Sequence, residues 1–307
     1  MSARYGPRLL HLAAAVDLPD CSGAEPYVEL VRLAERGGLD FVTLDDSFTP
    51  PGPDALCTLS RVAPATRRIG LVPTVTTRTR PLVVPGAVAT LDWVSRGRAG
   101  WRIDVSGGEE KLWDSREDGA GPATVPRPPH GHPVRVVDAT DSQARTVAAR
   151  YADVALVRAV TSAQAAAVRD ELRSIAREFG RNPDTVRVLA SLLVDLGDGE
   201  HAAEPGRGGG GPRPTVRGPL YRGGPVDLAE LVAGWHADGV TDGFHLVPVE
   251  PRRDLERLVN GTVVLLQHRG LFRTFYPGST LREHLGLTRP ANPYAVTGGD
   301  VMTGGTS

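Results

Sequence analysis

Three polar interruptions of apolar runs mark where this chain could do chemistry. They are Asp45, Asp46 and Ser47 after Phe41–Leu44, Thr76 and Thr77 after Ile69–Val75, and Arg102 within Arg98–Ser106. Asp46 suits a carboxylate that accepts from a ligand N–H, although aspartate at a strand-to-helix junction is also a good cap or turn residue. Thr76 offers a hydroxyl to a bound molecule, while β-branched threonine is equally at home in a strand. Successive strand residues point to opposite faces, so only one of Trp101 and Arg102 faces inward. An inward Arg102 supplies a fixed cation for a phosphate or an acidic substrate; an outward one is solvated.

Other chemistries are poorly served. There is no nucleophile elbow, no phosphate loop ending in Gly-Lys-Ser/Thr, and no His pair at helical spacing. The run Gly208–Gly211 neither follows a strand nor opens a helix, as a phosphate loop must. His130 and His132 sit among prolines with no third ligand nearby, so no metal is expected. Lys111 is the only lysine and lies in a polar run, a poor setting for a Schiff base. Cys21 and Cys57 lack paired spacing, which argues against a disulfide framework or zinc knuckle and fits a reducing cytoplasm. A net charge of −1 gives no basic excess for nucleic acid. No apolar run approaches the ~20 residues that span a bilayer, so a soluble protein is expected.

The elements that must position these groups alternate. Strands are read at Leu9–Val16, Phe41–Leu44, Ile69–Val75, the Arg98–Ser106 segment, Val134–Val137, Val154–Val160, Val186–Leu196 and Gly243–Val249. Helices are read at Pro26–Arg36, Ala55–Ala63, Pro85–Val94, Ser142–Tyr151, Ser162–Phe179, Asp227–Ala237 and Leu255–Gln267. Eight strands with helices between them predict a parallel α/β barrel, whose ligands bind at the carboxyl ends of the strands. The expected organisation is one barrel domain over 1–296. Segments of low order are expected at about 107–133 and 197–225, with a disordered tail over 297–307. The closing helix, with Val263, Val264 and Leu265, is a candidate surface for homo-oligomers.

Two segments carry a family likeness: TLDWVSRGRAGWRIDVS, and DGFHLVPV followed by LQHRGLFRTFYPGSTLREHLGLTRPAN. With collinear matches over Leu9–Val16, Phe41–Ser106, Leu112–Ala120, Pro128–Leu193 and Thr241–Asn292, the chain resembles the bacterial luciferase-like flavin monooxygenases. The branch it resembles is that of nitrilotriacetate and dibenzothiophene-sulfone monooxygenases. The resemblance implies a (β/α)8 TIM barrel, here with shortened insertions, that binds reduced FMN supplied by an NAD(P)H-dependent flavin reductase. It further implies an enzyme that uses O2 to oxidise a small organic substrate. By position, Asp46 in LDDSF matches the family's flavin-approaching aspartate, and Thr76 a hydroxyl residue after strand three. Arg102 stands where the family has a flavin-contacting asparagine, and Val105 where it has threonine. Asp141 stands at the serine that holds the FMN phosphate, with Ser142 beside it as a substitute, and Ala144 replaces a glycine. The catalytic residues are not identified. Two other readings stay open: a non-catalytic barrel serving as a binding or assembly subunit, and an oxidoreductase that uses the deazaflavin F420.

Overall fold

The computed structural model describes residues 10–19, 21, 23–45, 54–75, 84–103, 132–197 and 211–288. In chain order the first half contains β1 (His11–Ala15), α1 (Glu25–Arg36), β2 (Phe41–Leu44), α2 (Ala55–Val62), β3 (Gly70–Val75), α3 (Val84–Ser95) and β4 (Gly100–Ile103). After them come β5 (Val134–Asp138), α4 (Ser142–Tyr151), β6 (Val154–Val157), α5 (Ser162–Glu178) and β7 (Arg187–Asp195). The last part holds β8 (Arg213–Thr215), β9 (Gly218–Arg222), α6 (Pro225–Ala237), β10 (Gly243–Pro248), α7 (Pro251–Arg257), a π-helical stretch (Leu258–Val263), α8 (Val264–His268) and α9 (Leu281–His284).

Strands β1 to β7 pair in parallel and in order, and β10 pairs with both β7 and β1, which closes an eight-stranded parallel barrel. This is the (β/α)8 architecture that alternating apolar runs predict. Helices pack outside because each presents one apolar stripe: α1 buries Tyr27, Leu30, Val31 and Ala34 at helical spacing. The barrel interior is filled by Phe41, Val72, Val136, Leu156 and Leu189, and is stoppered by Leu281 and Leu285 around α9. Gly70 makes room for that stopper, since a Cβ there would lie 2.6 Å from Leu281 Cδ1.

Strand parity settles the choice between the neighbouring residues of β4. Trp101 is buried in the helix-facing cluster with Val137 and Val188, whereas Arg102 turns inward and pairs with Asp45.

Three features differ from the sequence reading. Within 197–225, read as a stretch of low order, β8 and β9 form an antiparallel hairpin, and β9 adds in parallel to Leu193–Asp195 of β7. The nine-residue β7 overruns its neighbour β6 and leaves an edge to be paired, and Tyr221 anchors the hairpin by burying its ring. The closing helix, expected to be uninterrupted over Leu255–Gln267, contains the π-helical stretch. There Gly261 approaches Pro225 so closely that a Cβ would lie 2.6 Å from Pro225 Cβ. The short α9 was absent from the reading, because four residues carry no visible period. Of the segment 107–133, only His132 and Pro133 are among the described residues, and the tail 297–307 lies outside them.

Candidate functional site

The barrel's carboxyl-end mouth gathers polar side chains that chain order keeps far apart. Arg102 on β4 forms an ion pair with Asp45 at the end of β2. The Asp45 backbone N–H donates to Asp17 Oδ1 at 2.7 Å, beyond the end of β1. Burial works against the Asp45 charge, but Arg102 outweighs it and holds the carboxyl below its ordinary range. Asp17 moves the other way, raised by burial foremost. Arg102, largely buried, is likewise opposed by desolvation, and Asp45 holds its charge firmly.

Below this pair lies His245, 1% exposed, on β10. Its Nε2 is 2.8 Å from Thr43 Oγ1 and its Nδ1 is 3.0 Å from Ser191 Oγ, so the ring ties β10 to β2 and β7. Burial first, then the Arg102 charge, push its pKa down to about 3, which leaves a neutral ring with one nitrogen donating and one accepting. Thr74 lies in register with Arg102 on β3. Its buried Oγ1 favours the Asp45 charge yet makes no hydrogen bond of full geometry.

Further ion pairs lie at this end among the described residues. Arg158, after β6, donates to Asp138 Oδ2 at 3.0 Å, and Asp138 also accepts from Thr140. Asp195, ending β7, takes Arg222 Nε at 2.9 Å and Arg253 Nη2 at 2.7 Å. The β8–β9 hairpin leans over this end, with Gly218 against Arg158 and the Arg217 charge felt by Asp17.

The site residues expected from sequence fare differently. Asp46 and Thr76 lie outside the described residues; their neighbour Asp45 directly follows β2 and their neighbour Val75 ends β3. Arg102 faces the mouth, but its charge is already balanced by Asp45. Asp141 is the N-cap of α4, its carboxylate accepting from Ala144 N at 2.7 Å, and Ser142 is exposed beside it. Val105, Lys111 and His130 are outside the described residues. His132 sits at the opposite end, with Nδ1 2.8 Å from Arg282 Nη2. Among the described residues no three His, Cys, Asp or Glu side chains could hold a metal ion.

Sequence reasoning missed His245, Thr43, Ser191, Asp17 and Asp138. Their signal was parity: each polar strand residue among them shares the inward face with its apolar neighbours two positions away. A cavity of about 330 Å³ opens at the other end, against Leu10, Phe272 and Arg273, away from these strand ends. Among the described residues, no helix is long and apolar enough to cross a membrane.

Comparison with known proteins agrees with this layout. The family model for luciferase-like monooxygenases matches residues 14–114 and 110–207. Nitrilotriacetate monooxygenase component A from Aminobacter aminovorans is 28% identical, over 88% of this chain and 91% of its own length. That alignment runs over 413 positions, more than the 307 residues here, so the relative carries segments that this chain lacks. Dibenzothiophene-sulfone monooxygenase from Rhodococcus erythropolis is 21% identical, over 86% of this chain and 90% of its own. Among solved structures, the EDTA monooxygenase from Chelativorans sp. BNC1 superposes with a TM-score of 0.75 at 20% identity, covering 92% of this chain and 99% of its own. A model match over more than half its length, on a closed parallel barrel, places this chain in the luciferase-like monooxygenase family.

Proposed function

We propose that the protein is a monooxygenase that uses a reduced flavin, delivered by a separate NAD(P)H-dependent reductase, and O2 to oxidise a small organic substrate in the cytoplasm. Family membership supports the reaction class. The observation that carries the site is the inward Arg102–Asp45 pair standing over neutral His245 at the barrel mouth.

The described residues fit a flavin ring better than its phosphate. A ring edge of alternating carbonyl and N–H groups meets matching partners in the hydroxyls of Thr43, Thr74 and Ser191 and in the balanced Arg102–Asp45 pair. The buried Thr74 hydroxyl, which lies beside Asp45 but makes no hydrogen bond of full geometry, could serve such an edge. Asp46 and Thr76 would complete the ring contacts from the ends of the same strands. When bound, reduced flavin supplies the two electrons with which O2 yields one oxygen atom to the substrate and one to water. The protein's part is to orient the ring and substrate and to keep water out, and the β8–β9 hairpin over Arg158 serves that exclusion.

The experiment is direct: purified protein, a flavin reductase, NADH and flavin are combined, and binding of the reduced flavin is titrated anaerobically. Saturable binding at about micromolar concentration or tighter supports the reading. Absence of binding up to about millimolar flavin would favour a non-catalytic binding subunit. Parallel titration with F420 decides between the flavin and the deazaflavin.

A further inference from the structure

We propose that the cavity at the amino end of the barrel is a second binding site, for a small uncharged aromatic molecule that bears a hydroxyl group, a phenol in chemical class. The site stands apart from the mouth and from whatever cofactor the mouth takes. Leu10 and His11, which line the cavity, lie at the start of β1, whereas Asp17 of the mouth lies beyond its end.

The walls set the body of the ligand. Leu10, Phe272, Phe275 and Pro277 supply apolar surface around a space of about 330 Å³, room for one or two fused rings. Leu10 and Phe272 belong to the packed core, so their side of the cavity is fixed. Phe275 differs, being 79% exposed. An aromatic ring that open beside a concave apolar wall has area to bury once a flat molecule enters.

One polar edge is built into these walls. His11 Nδ1 lies 3.1 Å from Asp40 Oδ1, and Asp40 is fully buried. The Asp40 carboxylate also pairs with Arg273 and accepts from Leu12 N at 2.8 Å. A carboxylate only accepts, so Nδ1 is the donor, and in the neutral ring Nε2 on the other edge is then an acceptor. That ring is 14% exposed and lines the cavity. Arg273, the cation at this end, is steadied by Phe272 and Tyr276, whose ring centroids lie 5.2 and 5.6 Å from its Cζ.

Three requirements follow for an occupant: a flat apolar body for the walls, a donor for Nε2, and no net charge beside the balanced Asp40–Arg273 pair. An aromatic hydroxyl meets all three. An aromatic carboxylate would bring a second negative charge beside Asp40 and offer no donor. A plain hydrocarbon would take water from Nε2 and return no hydrogen bond.

The test is equilibrium binding of 2-naphthol to the full chain at pH 8, with 2-methoxynaphthalene and 2-naphthoate as comparisons. Saturable one-to-one binding of 2-naphthol is expected at about 100 µM or tighter. The methoxy compound keeps the body and loses the donor, so it is expected to bind roughly tenfold more weakly, and the carboxylate at least as weakly. Phe275→Ala, at an exposed position that the fold does not need, is expected to weaken 2-naphthol roughly three- to tenfold. His11→Phe removes the acceptor and is expected to abolish the advantage of 2-naphthol over its methyl ether; far-ultraviolet circular dichroism checks that it folds. No saturable binding up to about 1 mM overturns the proposal. Binding unchanged by Phe275→Ala overturns the location, and equal binding of all three compounds overturns the selection for a hydroxyl.

Discussion

Arg102 reaches from β4 past β3 to an ion pair with Asp45, so the cation that the sequence offers to an anionic ligand is neutralised within the fold. A paired arginine at a mouth orients hydrogen bonds more than it attracts charge, and its behaviour can be changed by altering its partner alone.

Asp45→Asn therefore frees the Arg102 charge. Because Asp45 is about half-exposed, 49%, the loss of stability is expected to be only about 1 kcal/mol by urea denaturation. Sulfate should then raise the thermal midpoint of the variant more than that of the parent chain. An identical sulfate response would show that Arg102 was not released.

His245 makes stability depend on pH in a defined window. Its folded pKa, about 3, lies below the ordinary 6.5, so the unfolded chain takes up a proton first as the solution is acidified. The contribution is intact above pH 6.5 and drains away between 6.5 and 3, at up to about 1.4 kcal/mol per pH unit. His132, pushed to about 4 by burial first, drains in the same range, so the comparison must be made against a variant. His245→Asn is expected to flatten the slope of unfolding free energy between pH 6 and pH 4. It should also cost about 1–3 kcal/mol at pH 7, by leaving a hydroxyl of Thr43 or Ser191 unmatched.

At the far end of the barrel, Asp40 is fully buried between Arg273 and His11. Burial alone would raise its pKa, but Arg273 overcomes that and holds it at about 2. Its stabilisation is present above the ordinary carboxylate pKa of 3.8 and is lost as pH falls from there through 2. Asp40→Asn leaves a buried guanidinium without its counter-charge and is expected to cost about 3–5 kcal/mol, read as a lowered urea midpoint at pH 7.

The stopper can be tested by coupling. Leu281→Ala removes a fully buried side chain and should cost about 2–5 kcal/mol. Gly70→Ala drives a methyl against Leu281 and the Cβ of Phe41 and should cost about 1–3 kcal/mol. In the double variant the shortened residue 281 relieves part of that clash, so the combined loss should fall short of the sum of the single losses. Strict additivity would mean that Phe41 alone sets the penalty at Gly70.

Much of the fold was legible because the signals were local. Ser142–Tyr151 was read at both ends, since Asp141 supplies a cap and the apolar spacing runs unbroken to Tyr151. The hairpin was not, because Gly, Pro and Arg around 211–222 outweigh the few apolar residues, and pairing with the overhanging edge of β7 is what orders it. The site was legible only in part. Arg102 stood out as a charge in an apolar run, whereas the single histidine of Gly243–Pro248 was not singled out.

Periodicity, caps and composition by themselves determined the alternation of strands and helices, and hence the barrel, because each depends on residues within a turn or a pleat of one another. Which polar groups meet was decided by closure of the sheet. Asp45 and Arg102 are 57 residues apart, and Thr43 and His245 are 202 apart; only the circular strand order sets them on one wall. That closure also pairs Arg102, Arg158, Arg222 and Arg253 with carboxylates. Among the described residues these arginines meet carboxylates at the ends of other strands because burial favours charges that find an opposite partner.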